Sequence, residues 1–201
     1  TGADKLVLAD GGNTATLALT AVESIVGGSG IDIITLSSAT GVNVDISGAG
    51  ADVLTGTNYA DIITAGSGDK IVYLATSIAE GAAPDGTTDL RAAGDVDIIT
   101  KPATGTLLLD LAAVGNTIAN AVSVTIGSTL MTGTTANDLK ITTGTYDDTT
   151  GIFTATSVTP TYTLIQYDTD ANTAPGNVGN ILIVGTFTSA AIASEILTLT
   201  V

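Results

Sequence analysis

The chain has no histidine and no cysteine, and only 5 of its 201 residues are Lys or Arg. Each absence removes a class of chemistry. Without imidazole or thiolate there is no Ser-His-Asp or Cys-His nucleophile system, no histidine general base, and no structural zinc or blue-copper centre. Without disulfides the fold needs another source of stability, and a cysteine-free chain rich in Gly, Thr and Asp fits a bacterial extracellular protein. The five basic residues face 20 acidic ones, a formal charge of −15. Nucleic acid and anionic membrane surfaces are held through cationic contacts that release counterions, so neither is an expected partner. Aromatic residues make up 3% of the chain and none is Trp, which leaves few platforms for stacking a sugar. No apolar run reaches the roughly 18 residues of a membrane span, so no membrane insertion is expected. The first residues, Thr1-Gly2-Ala3-Asp4, show neither an initiator Met nor a basic-then-apolar leader and read as a cut within a longer chain.

What is present is a strand-and-turn alphabet. The chain is 44% hydrophobic and 12% charged, with 24 Gly and 37 Thr. Thr, Val and Ile crowd at Cβ and suit pleated surfaces, while Gly and Asp supply turns. A chain this apolar buries enough surface to offset its conformational entropy, so disorder is disfavoured.

The strongest signal is internal repetition. Gly27-Gly28-Ser29-Gly30-Ile31-Asp32-Ile33-Ile34-Thr35 matches the nonapeptide G-G-x-G-x-D-x-U-x, where U is a large aliphatic residue, at every specified position. Ser47 to Thr55 lacks only the first Gly, and Gly56 to Thr64 keeps Asp61 and the aliphatic position. Ala65 to Tyr73 places Lys70 where the Asp belongs and offers Asp69 one place early. Gly2 to Leu6 looks like the tail of another copy, and Asp95 to Thr100 like a worn one. These spacings predict coils of about 18 to 20 residues, each with two short strands and two turns. Gly41 to Ile46 alternates as a strand without a repeat turn of its own, so one side of that coil is expected to be metal-free.

Over residues 1 to 73 these motifs resemble the RTX family of calcium-binding repeat proteins exported by type I secretion. The resemblance implies a parallel β-roll in which Ca2+ lies between stacked turns. It is held there by the repeat Asp and by carbonyls that Gly leaves accessible. The physics agrees, since a hard cation takes six to eight oxygens and the aliphatic U position suits the roll interior. The expected metal ligands are Asp32, Asp52, Asp61 and Asp69, with Gly28, Gly30, Gly48 and Gly50 offering carbonyls. The plain alternative is that these aspartates only form Asx turns. Calcium is favoured because carboxylates stacked coil upon coil repel unless a cation lies between them. A further candidate is Asp168-Thr169-Asp170-Ala171-Asn172, whose Asp168 and Asp170 carry D-x-D-x-N spacing. It lacks the Gly and Glu of an EF-hand, Thr173 and Gly179 standing in their places.

Beyond residue 76 the pattern changes. Residues 77–104 read as a surface excursion, including Gly81-Ala82-Ala83-Pro84-Asp85-Gly86, followed by the last worn coil. Residues 105–201 alternate at antiparallel lengths: Thr106 to Ala113, Val122 to Ile126, Leu139 to Tyr146, Ile152 to Val158, Tyr162 to Tyr167, Ile181 to Phe187 and Glu195 to Val201. Tyr146 to Ile152 looks like a hairpin in which Gly151 takes positive φ. The fold class expected is therefore all-β, an N-terminal parallel β-roll or β-helix solenoid with an antiparallel β-sandwich-like C-terminal cap. This half resembles the ends of type I-secreted RTX surface proteins and adhesins, including the tails known as bluetail domains. The motifs are Gly144-Thr145-Tyr146-Asp147 leading to Gly151-Ile152-Phe153, then Tyr162 to Asn172, then Ile181 to Gly185. That resemblance implies an export signal near the C-terminus.

Function follows from these features as an expectation. Adjacent carboxylates such as Asp147 with Asp148 are turn chemistry more often than a glycosidase pair, and no catalysis is expected. The expected role is an extracellular, calcium-dependent structural or assembly module of a bacterial surface-layer protein or RTX adhesin. Its expected partners are calcium ions, other copies or a neighbouring surface protein, and the type I secretion machinery. The competing expectation is the export and folding domain of a secreted RTX enzyme or toxin.

Overall fold

The computed structural model describes residues 4–20, 22–74, 89–90, 96–113, 126–127, 130, 139–168 and 178–201. The regular elements among them are all β-strands, as the composition demands. The N-terminal strands are β1 (Lys5–Val7), β2 (Thr14–Leu19), β3 (Ser24–Val26), β4 (Ile33–Ser38), β5 (Asn43–Ile46), β6 (Val53–Thr55), β7 (Ile62–Ala65), β8 (Lys70–Leu74), β9 (Asp97–Thr100) and β10 (Thr106–Ala113). They are followed by β11 (Ile126–Gly127), β12 (Leu139–Asp147), β13 (Ile152–Ala155), β14 (Tyr162–Asp168), β15 (Val178–Val184), β16 (Ser189–Ala193) and β17 (Ile196–Thr200).

Consecutive strands from β1 to β10 go alternately to two sheets. The odd strands pair in parallel in the order β1-β3-β5-β7-β9, and the even ones as β2-β4-β6-β8-β10. Register partners Lys5↔Ser24, Ser24↔Asn43 and Asn43↔Ile62 are each 19 residues apart in one sheet. In the other sheet Thr14↔Ile33 are 19 apart, Ile33↔Val53 20 and Val53↔Lys70 17. The repeat length read from the sequence is thus the rung spacing of two parallel ladders.

Alternation decides what each rung buries. In a strand successive side chains point to opposite faces, so every second position faces the other sheet. Those positions are Ile25, Ile34, Val44, Leu54, Ile63 and Ile71, all at most 3% exposed and all in one core. Sealing each of them from water contributes about 1.5–3 kcal/mol.

The later strands join the same two sheets. β15 pairs with β9 in parallel, then β14 and β12 follow antiparallel; β17 pairs antiparallel with β10, and β16 with β17. The hairpin expected at Tyr146 to Ile152 is present, with Asp147 opposite Ile152 and Gly151 at φ +71°. Several expectations differ in detail: the strand read as Ile152 to Val158 ends at Ala155, and Thr106 to Ala113, read as antiparallel, pairs in parallel with β8 on one side. The strand read as Ile181 to Phe187 runs Val178–Val184 instead, ended by Gly185 at φ +109°, although Phe187 still reaches the core. β16 was not expected, because Ser-Ala-Ala-Ile-Ala gives little apolar contrast. The strand read at Val122 to Ile126 lies outside the described residues except for Ile126, and so does most of the excursion after residue 76. Of that excursion Leu90 is described. It is buried with Phe153, Leu164 and Leu182 in a second, smaller cluster.

Candidate metal centre

Two columns of residues, polar at every position but Val42, run along the edges of the paired sheets, where the chain turns from one sheet to the other. At one edge the residue just before each even strand is Asn13, Asp32, Asp52 and then Asp69. The three aspartates are 0–1% exposed. Each rung's carboxylate serves the rung before it. Asp32 Oδ1 accepts from Asn13 N at 2.9 Å, Asp52 Oδ1 from Asp32 N at 2.7 Å, and Asp69 Oδ1 from Asp52 N at 2.9 Å. The second oxygen closes the residue's own turn in two of them: Asp32 Oδ2 accepts from Gly28 N at 2.7 Å and Asp69 Oδ2 from Gly66 N at 2.6 Å. Asp52 Oδ2 is buried and has no hydrogen-bond partner.

The opposite edge carries Asp4, Glu23, Val42, Asp61 and Asp97 at matching positions. The same logic holds. Asp4 N donates to Glu23 Oε2 at 2.7 Å, Val42 N to Asp61 Oδ1 at 2.8 Å, and Asp61 N to Asp97 Oδ1 at 2.8 Å. Thr57 completes the Asp61 shell, donating its N–H to Oδ2 at 2.7 Å and its hydroxyl to Oδ1 at 3.0 Å. Tyr73 is buried beside Asp97. Burial first, and then the charge of Asp97, hold its phenol far above its usual pKa.

The aspartates pay unequal electrostatic penalties. Burial raises the carboxyl of Asp69 to about 6 against the hydrogen bonds from Asp52 and Gly66. Burial also raises Asp52 and Asp61. At Asp32 burial pushes the same way, but hydrogen bonds from the Asn13 side chain, Gly28 N and Asn13 N outweigh it and leave the pKa below its usual value. None of the four has an ion-pair partner among the described residues.

Glycine allows the turns to stack. A Cβ on Gly28 would collide with the carbonyl oxygen of Ala9, and one on Gly48 with that of Gly28. At Gly50 (φ +152°) the space a Cβ would take lies 2.7 Å from Gly30 O and 2.8 Å from Asp52 Oδ1. Gly30 O and Asp52 Oδ1 thus border the space beside Gly50, and oxygens of this kind, carboxylate and backbone carbonyl, suit a hard divalent cation. Among the described residues no group of three or more acidic side chains converges to hold a metal ion by side chains alone.

The structure thus brings Asp32, Asp52 and Asp69 together and sends Asp61 to the other edge, although Asp61 stands nearer to Asp52 in sequence. A nine-residue step advances half a rung and changes sides. Lys70 does not occupy the repeat aspartate's place. The turn before β8 is short, so Asp69 takes the column position and Lys70 opens the strand, its Nζ 3.3 Å from Asp110 Oδ2. Asp168 ends β14 opposite Val178, well away from both columns in sheet order, and Asp170 lies outside the described residues. Five column members, Asp4, Asn13, Glu23, Val42 and Asp97, were not read as site residues. Asn13 was traceable, since it lies 19 residues before Asp32 behind Gly11-Gly12. Asp97 stands 36 residues after Asp61, a step that the excursion conceals.

No family model matches the sequence, and no curated protein is similar to it. Among solved structures, the solution structure of the AlgE6R2 subunit from the Azotobacter vinelandii mannuronan C5-epimerase matches over 92% of this chain and 85% of that one. The identity is 16% and the TM-score 0.32. A likeness of that degree fixes neither fold nor function.

Proposed function

We propose that this chain is a calcium-dependent structural and assembly module of a secreted bacterial surface protein, a β-roll that folds when calcium binds after export, and that it has no catalytic activity. The observation that carries the reading is the Asp32-Asp52-Asp69 column. Three buried carboxylates stand on successive rungs with no ion-pair partner among the described residues, one of them with an oxygen that has no hydrogen-bond partner there, and glycine turns let carbonyls of neighbouring turns approach closely. Asp52, Asp32 and the carbonyls of Gly28 and Gly30 are the groups that would hold the ion. A divalent cation there supplies the positive charge that the column lacks and converts repulsion between rungs into cohesion. Inside a cell, where free calcium is low, the chain of net charge −15 resists compaction and stays fit for export. Outside, binding energy becomes folding energy. The resemblance of the repeats to the RTX family supports the export and surface parts of this reading.

One observation favours a second reading at the other edge. There both oxygens of Asp61 are hydrogen-bonded and, among the described residues, no buried carboxylate oxygen of that column lacks a partner as Asp52 Oδ2 does, so that column works as a metal-free Asx ladder. Calorimetric titration with calcium, alongside circular dichroism in chelator and in calcium, tests the proposal. Heat of binding, a gain of strand signal and a higher melting temperature in calcium are expected, with Asp52→Asn losing most of the gain and Asp61→Asn keeping its calcium response. Identical spectra and melting in chelator and calcium would overturn it.

A further inference from the structure

We propose that the outward face of the seven-stranded sheet is a self-association surface on which a second copy of this chain docks sheet to sheet. This gives a location to the assembly part of the function proposed above and does not depend on the calcium part.

The face differs from the rest of the molecule in charge. The chain carries −15, yet the strands of this sheet contain only two charged residues, Lys70 and Asp110, and these are bonded to each other. Two copies of a polyanion repel at most approaches, because like charges brought together are unfavourable. Here they meet across a neutral surface.

Its relief is also regular. The rung register aligns Thr16, Thr35 and Thr55 in one row and Ile33 with Val53 in the next. These are short, stiff β-branched side chains of similar height, which suits the interdigitation of two sheets packed about 10 Å apart. Ile33 is 46% exposed and Leu74 40%, a cost in water that a facing sheet would remove.

The placement of the single ion pair selects a second copy over an unlike partner. In the order β16-β17-β10-β8-β6-β4-β2, β8 is the central strand and β10 its neighbour, so Lys70 and Asp110 lie on the middle strands of the face, Lys70 at the first residue of β8. A twofold axis running between two facing sheets brings Lys70 of each copy toward Asp110 of the other. A patch whose strands carry one positive and one negative group, adjacent to each other on its middle strands, is complementary to itself, as an isologous interface requires. Six strand spacings of about 4.8 Å make the face roughly 29 Å wide. With strands this short the contact is small, so association of about micromolar strength is expected.

Sedimentation of the full chain in calcium, from about 1 to 500 µM, tests the proposal. A concentration-dependent monomer–dimer equilibrium is expected. Thr35→Arg, which sets a charge in the threonine row, should weaken it at least tenfold, and so should Lys70→Glu. Exchanging the pair (Lys70→Asp with Asp110→Lys) should restore the dimer, and Lys70→Glu should weaken it while its monomer keeps the parent's circular dichroism and melting temperature, which loss of the intrachain ion pair as a structural element would not predict. Thr64→Arg on the outward face of the other sheet should leave the dimer intact. If Thr35→Arg fails to fold by circular dichroism, the charge exchange decides. A monomer at every concentration, or a dimer indifferent to Thr35→Arg and Lys70→Glu, or one weakened equally by Thr64→Arg, would overturn the inference. A monomer that still folds on calcium addition would sink this surface and leave the calcium reading standing, and a dimer with no calcium response would do the reverse.

Discussion

Asp69 closes the column at the edge holding Asn13, for the next rung offers Leu107 where another carboxylate would stand. It receives hydrogen bonds from Asp52 N and Gly66 N, yet burial still lifts its carboxyl to about 6. A carboxylate whose folded pKa lies above its unfolded value of 3.8 binds its proton more tightly in the native state. Its contribution to stability is complete below 3.8 and is lost as the pH rises through about 6. Asp52 and Asp61 are raised in the same direction, whereas Asp32 is lowered and acts against acidification only below its ordinary range. Metal-free protein is therefore expected to melt at a higher temperature at about pH 5 than at about pH 7. Saturating calcium competes with protons at Asp52, whose carboxyl is also raised, so the advantage of pH 5 over pH 7 should shrink when calcium is present. Calorimetric melting in chelator and in calcium measures both. A metal-free melting temperature that falls between pH 7 and pH 5 would contradict this account of the column.

Strands this short have few residues with which to hold their place. β6 has three, and only Leu54 points inward, flanked in register by Ile34 and Ile71. Removing its side chain leaves a cavity between two rungs whose backbones are fixed by parallel ladders and cannot close in. Leu54→Ala should then cost about 2–5 kcal/mol in urea unfolding, while Asn43→Ala, exposed on the other sheet, should stay within about 0.5 kcal/mol. A cost below about 1 kcal/mol for Leu54→Ala would mean the rungs relax around the gap.

The same strands explain what could be read in advance. Alternation of Ile, Leu and Val with Thr and Asn marked β4 to β8, and the Gly-Asp turns marked where they end. β16 escaped because alanine and serine carry no contrast between faces. Asn13 escaped because its amide does the column's work without a carboxylate, donating to Asp32 Oδ1 at 2.6 Å. The two edges were not separable either, since half-rung steps of nine residues look alike along the chain and only the pairing register sorts Asp52 from Asp61.

At the scale of the molecule, each N-terminal rung touches only the rungs beside it. β1 and β2 end their sheets with one neighbour each, while β9 and β10 are held on both sides, by β7 and β15 and by β8 and β17. Leu6, Leu8, Leu17 and Val22 lean on the core at that open end and remain partly exposed, whereas Ile99 and Leu109 are completely enclosed. In a stack with nearest-neighbour coupling, opening the end rung breaks one interface, and reaching an inner rung means breaking every interface on the way. Stability should therefore rise along the chain from β1 toward β10. Hydrogen exchange under native conditions is expected to show amides of β2 and β3 at least about tenfold less protected than those of β9 and β10, equivalent to about 1.4 kcal/mol. Calcium should narrow that gradient by fastening Asp32 to Asp52. Uniform protection from β1 to β10 in the metal-free protein would show that the ladders open as one unit, and nearest-neighbour coupling would then be the wrong description of this fold.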